Sequence, residues 1–155
     1  MGLDQYLYAN KYMSNSEWRG EKVQKQFRDV VEACEASNVI TKAQFPSATV
    51  QFQVGYWRKS NQIHDWFVNN CQDGNDDCKE YYVSREQIIE LRALCQRVLN
   101  NHALAGELLP TSSGFFFGST DYDEWYFGDL QETVEILDHA LTLDDDYSFT
   151  YQSSW

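Results

Sequence analysis

Positive charge is missing from the last third of this chain: between Asn101 and Trp155 there is no Lys or Arg, against eleven Asp and Glu. Residues 71–155 hold four basic and seventeen acidic side chains, whereas residues 1–70 hold eight and seven, and the whole chain carries a net charge of −12. Phosphate backbones are held by cations, so direct binding of nucleic acid by the acidic half is disfavoured. A basic partner or a bound cation is compatible with it. Proline occurs only twice and glycine eight times, and no repeat or low-complexity tract is present, which confines disorder to loops. No stretch approaches the roughly 20 apolar residues of a membrane span. The start lacks a basic-then-apolar leader profile, so the chain is expected to act in the cytoplasm. Met1-Gly2 is followed by Tyr6 where a myristoylation motif has Ser or Thr. No CxxC pair occurs among Cys34, Cys71, Cys78 and Cys95, and in a reducing compartment these are expected to be thiols.

What is present suffices for one core. Hydrophobic residues make up 43% and aromatics 15% of 155 residues, the size of a single domain spanning 1–155. Leu3, Gln5 and Leu7 alternate with Asp4, Tyr6 and Tyr8, predicting a strand. Val23, Phe27, Val30, Val31 and Cys34 recur at helical spacing from Glu21, and Cys34, like Cys95, reads as a small core residue on an apolar helix face. Val50, Phe52, Val54 and Tyr56 alternate on one face of a strand, with Val50, Phe52 and Val54 expected as the buried face of a central strand, and Ser60 precedes a short helix with Ile63, Trp66 and Phe67 inward. Ser84 and Gln87 form a capping box before Ile88, Leu91, Leu94, Cys95 and Val98. Gly114–Gly118 reads as a buried strand or extended turn. Asp129 opens a helix carrying Leu130, Val134, Leu137 and Leu141, and Tyr147, Phe149 and Tyr151 form a closing strand. The fold expected is α+β, a mixed or antiparallel sheet of about four strands with three to four helices packed on it.

Several blocks carry a resemblance: Gly2-Leu3-Asp4 with Tyr6-Leu7-Tyr8, GYWRKSNQIHDWF (55–67), QDGNDDCKEYYVS (72–84), LLPTSSGFFFGSTDYDEWYF (108–127) and YQSSW (151–155). Together they resemble a family of small proteins of tailed bacteriophages and prophages. The resemblance spans most of the chain outside roughly residues 14–48. It implies the cytoplasm of an infected bacterium as the place of action, and it supplies no catalytic residues.

The segment most suggestive of chemistry is 56–64. Tyr56, Trp57, Arg58, Lys59, Asn61 and His64 place aromatics, cations, an amide and an imidazole at a strand end and the next helix start, where free N–H groups favour anions. Gly114, Phe116, Gly118, Thr120, Asp121 and Asp123 are expected to meet them, since glycines permit close approach and Asp121 and Asp123 attract the cations. A nucleotide-type small molecule fits that set, with rings on a base and Arg58 or Lys59 on phosphate. The competing reading makes Trp57 and Trp66 core residues and pairs Arg58 and Lys59 with the acidic half.

Two rival functions follow from the acids. One is an acidic decoy occupying the cationic groove of a basic host protein. The other is a metal-dependent hydrolase using Asp73, Asp77, Asp121 or Asp123, disfavoured because the Asp73–Asp77 loop lacks EF-hand spacing and no second partner is fixed. His64, Cys71 and Cys78 are too irregularly spaced to define a zinc site. The expectation is therefore a non-enzymatic, cofactor-free binding protein active in counter-defence or host takeover; the sequence sets no oligomeric state.

Overall fold

Leu3, Gln5, Leu7 and Ala9 alternate with half-buried Asp4, Tyr6 and Tyr8, and in the computed structural model, which describes residues 2–114 and 117–155, the first set is fully buried. Four strands, β1 (Asp4–Ser14), β2 (Ser47–Arg58), β3 (Tyr81–Val83) and β4 (Tyr147–Ser154), form one antiparallel sheet in the order β2-β1-β4-β3. β3 pairs with β4 so that Tyr82 faces Thr150 and Val83 faces Phe149. The α-helical segments are α1 (Gly20–Ala33), α2 (Ser37–Ile40), α3 (Asn61–Cys71), α4 (Arg85–Asn100), α5 (Ala105–Leu108) and α6 (Glu124–Leu141). The architecture is thus the α+β class expected, with α2 and α5 single turns of four residues each.

The chain forms two compact units, one made of the residues up to Ala9 with Phe52–Trp155, the other of Asn10–Gln51. The core of the first unit joins Leu7 and Ala9 of β1, Trp57 of β2, Ile63 and Phe67 of α3, Leu91 and Cys95 of α4, Leu130 and Leu137 of α6, and Phe149 and Tyr151 of β4. The α4 start follows from local chemistry: Ser84 N–H donates to Gln87 Oε1 at 2.8 Å while Gln87 N–H donates to Ser84 Oγ at 3.1 Å, satisfying two helix-end donors reciprocally. In the second unit Phe27 and Met13 are buried, and Gln51 Nε2 donates to Asn10 Oδ1 at 3.0 Å. Trp18 and Phe45 remain exposed there beside a groove of about 410 Å³.

Three expectations are corrected. In β2 the expected face is only partly inward: Val50 and Val54 are half-buried and Val54 packs on the core, but Phe52 is 49% and Tyr56 38% exposed, and the fully buried residues are Gly55 and Trp57 of the other face. A Cβ on Gly55 would lie 2.6 Å from Ile136 Cγ2 and 3.2 Å from Leu7 Cβ, so α6 settles against the glycine side. The outer aromatics pack on each other instead, with the Tyr6 and Tyr56 rings 5.5 Å apart. Period two identifies a strand but leaves open which face meets the core. Second, α6 begins at Glu124 rather than Asp129, because Asp123 Oδ1 caps it by accepting from the Trp125 and Tyr126 N–H groups at 3.0 and 3.1 Å. Third, Cys34 is exposed at the end of α1 and is not a core residue. The three-residue β3 follows the acidic 73–77 loop; the strand or turn expected over 114–118 falls partly outside the described residues.

Phe52→Ala is accordingly expected to change unfolding free energy by about 1 kcal/mol or less, as at other largely exposed positions. Gly55→Ala should destabilise by about 1–3 kcal/mol through overpacking. Urea denaturation of the two variants tests the assignment, and the reverse ranking would restore the Phe52 face as the buried one.

Candidate functional site

The site is built where β2 turns into α3. Lys59 has φ 60°, a left-handed conformation that costs a non-glycine residue roughly 1 kcal/mol, and its N–H donates to Leu3 O at 2.8 Å. That turn delivers Asn61 to the first position of α3, 2% exposed. Asn61 holds the loop that follows Pro110: its Nδ2 donates to Phe117 O at 3.0 Å and Ser119 O at 2.8 Å, and its Oδ1 accepts from Ser112 N–H at 2.9 Å. Gly118, at φ 85°, completes the approach, since a Cβ there would lie 3.2 Å from Lys59 Cβ and 3.4 Å from Lys59 O.

The result is a cleft of about 260 Å³ lined by Arg58, Lys59, Asn61, Gln62, Gly118, Ser119, Asp121, Asp123, Trp125, Tyr126 and Asp129. Two cationic residues, Arg58 and Lys59, and three acidic ones, Asp121, Asp123 and Asp129, thus share the lining. Among the described residues neither cation makes an ion pair with a carboxylate. Trp125 is 76% exposed, a large ring left in water at the cleft edge. Asp129 is half-buried, Gln62 Nε2 donates to its Oδ2 at 3.3 Å, and burial pushes its carboxyl above the ordinary value. The Tyr126 hydroxyl donates to Leu109 O at 2.7 Å and is raised by burial.

Of the residues expected at the site, Arg58, Lys59, Asn61, Gly118, Asp121 and Asp123 line this cleft. Trp57 does not: it is 1% exposed and its Nε1 donates to Thr133 Oγ1 at 2.9 Å, inside the core. Tyr56 stands on the outer sheet face, where its hydroxyl donates to Asp4. His64 is 1% exposed, with Nδ1 2.8 Å from the Tyr151 hydroxyl and Nε2 3.1 Å from Asp76 Oδ2, so it braces α3 against β4 and the acidic loop. Its ring meets Phe117 edge-on at 5.2 Å, which steadies the same loop that Asn61 clamps. Thr120 is exposed and its carbonyl accepts from Thr111 Oγ1 at 2.9 Å. Gly114 is exposed, its carbonyl accepting from Phe117 N–H at 3.1 Å. Phe116 lies outside the described residues.

Comparison with protein-family models, with curated proteins and with solved structures returns no match.

Sequence reasoning missed Gln62, Trp125 and Asp129. The signal for two of them was present: Trp125 and Asp129 are four apart, hence neighbours on one face of α6, and both are polar-face residues on a helix whose opposite face is apolar. Among the described residues no group of three His, Cys, Asp or Glu is placed to hold a metal ion. Burial pushes the Cys71 thiol up to about 12 and the Cys95 thiol likewise to about 12.

The raised Asp129 carboxyl makes a stability prediction. A group that binds its proton more tightly when folded contributes stability below its unfolded value, and that stability is lost as pH rises through the folded value. Asp129→Asn should therefore melt at or above the parent at neutral pH, with a smaller loss of stability as pH rises from the ordinary carboxylate range through the raised folded value. Melting curves across that range check it; a clear fall at neutral pH would make the carboxylate a scaffold group.

Proposed function

We propose that this protein binds a nucleotide-type small molecule without transforming it, in the cytoplasm of a bacterium infected by the phage that encodes it, sequestering a host signal or tuning a host enzyme. One observation carries the reading: Arg58 and Lys59, which among the described residues make no ion pair with a carboxylate, line one cleft of about 260 Å³ together with three carboxylates and an exposed indole. Opposite charges held in one cleft without contact leave room for a ligand bearing both anionic and hydrogen-bond-donating groups. Arg58 and Lys59 suit phosphate, and a base stacks on Trp125 in a sequence-tolerant way.

The test is a thermal-shift and calorimetric screen of the full chain against cyclic and ADP-ribose-type nucleotides. A ligand at 100 times its Kd should stabilise the fold by about 2.7 kcal/mol. Lys59→Ala should weaken binding with little effect on melting. No shift with any nucleotide, from a folded sample, would overturn the reading.

The acidic decoy is supported by a separate observation, the exposed Glu124, Glu132 and Glu135 along α6. Capture of a basic host protein that is lost as ionic strength rises would favour it.

A further inference from the structure

We infer that the cleft selects a guanine base, with Trp125 stacking on the ring and Asp129 and Gln62 reading its Watson–Crick edge; this rests on the nucleotide reading above. Trp125 and Asp129 sit one turn apart on the same side of α6, and both line the cleft. A planar ring lying on the indole therefore turns an edge toward Asp129. What that edge must carry is set by the protein groups. An ionised carboxylate only accepts hydrogen bonds, and it has room for about four. Gln62 Nε2 takes one of them at 3.3 Å. The same amide carries a second N–H, so the pair presents acceptor capacity beside a donor.

Guanine matches this order, because N1–H and the N2 amino group are adjacent donors and O6 is the neighbouring acceptor. Adenine turns its N1 lone pair toward the carboxylate, and cytosine does the same with N3. Uracil has one N–H between two carbonyl acceptors. Each of these three leaves a carboxylate facing an acceptor, which a largely dry wall penalises. Gln62 is 3% exposed and Asp129 is half-buried, so the wall is of that kind. The phosphate of the same ligand is left to Arg58 and Lys59, which line the same cleft and, among the described residues, make no ion pair with a carboxylate.

The experiment is isothermal calorimetry of the full chain with GMP, IMP and AMP, which share one phosphate and differ in the base edge. GMP should bind about 10- to 100-fold more tightly than IMP, which lacks the N2 donor pair to the carboxylate, and AMP should be weaker still. Asp129→Asn should remove most of the GMP advantage over AMP, whereas Lys59→Ala should weaken all three by a similar factor. The comparison among ligands on the parent protein needs no variant to fold. Equal binding of GMP, IMP and AMP would overturn the guanine assignment and leave the nucleotide reading standing. Absence of binding by all three, together with a negative result for cyclic and ADP-ribose-type nucleotides, would overturn both.

Discussion

Replacing Trp57 with alanine is expected to lower the unfolding free energy by about 3–5 kcal/mol, the range for removing a large buried ring. The side chain is 1% exposed, its ring centroid is 6.0 Å from that of Phe67, and its Nε1 donates to Thr133 Oγ1. Thr133 Oγ1 in turn donates to the Asp129 carbonyl at 2.6 Å. Trp57 thereby ties β2 to the turn of α6 that carries Asp129, and its loss should weaken ligand binding in step with stability. Trp57→Phe keeps much of the packing but leaves Thr133 without its indole donor, so a loss of about 1–3 kcal/mol is expected. Urea denaturation followed by circular dichroism measures both. A cost below about 1 kcal/mol for the alanine variant would mean that the ring is not part of the core.

Asn61→Ala should produce the largest effect on the cleft. Three hydrogen bonds from one amide hold the chain on both sides of residues 115–116, and truncation leaves Phe117 O, Ser119 O and Ser112 N–H to find other partners. A stability loss of about 1–3 kcal/mol is expected. Ligand affinity should fall by more than about tenfold, since a wall displaced by even 1 Å misplaces its groups. Asn61→Asp is the sharper comparison. It is nearly isosteric but turns a carboxylate oxygen toward two carbonyl oxygens, so it should damage the cleft at least as much as alanine does. Hydrogen exchange at the Ser112 amide, together with calorimetry, distinguishes a released loop from general unfolding. If both variants bind as the parent does, Asn61 does not position the site.

Elements set by local chemistry were legible in the residues. The Ser84–Gln87 reciprocal cap, the apolar spacing of α4 and the alternation of β1 each express an interaction within a few residues, and each is found in the structure. The proximity of Asn61 to the Gly118 segment was legible in part: close approach at glycine acts at this contact, whereas the attraction expected between the cations and Asp121 or Asp123 forms no ion pair among the described residues. The strand 47–58 shows where such reading stops: the period was plain, but the choice between the Phe52 face and the Trp57 face depends on α6, a helix distant in sequence. His64 was equally ambiguous, since an imidazole beside cations looks like a binding group until Tyr151 and Asp76 are seen to occupy both of its nitrogens.

By itself the sequence determined the α+β class, the placement of the main helices and strands, and an acidic stretch from Asn101 onward without Lys or Arg, because propensity, periodicity and charge are carried by neighbouring residues. Only the tertiary structure decided which face of β2 is buried, which of the residues at 56–64 meet solvent, and that Trp125, Asp129 and Gln62 join Arg58 and Lys59 around one cleft. Those outcomes depend on contacts between residues more than fifty positions apart, such as Trp57 with Thr133 and Asn61 with Ser119, and no local pattern encodes the register in which such segments meet.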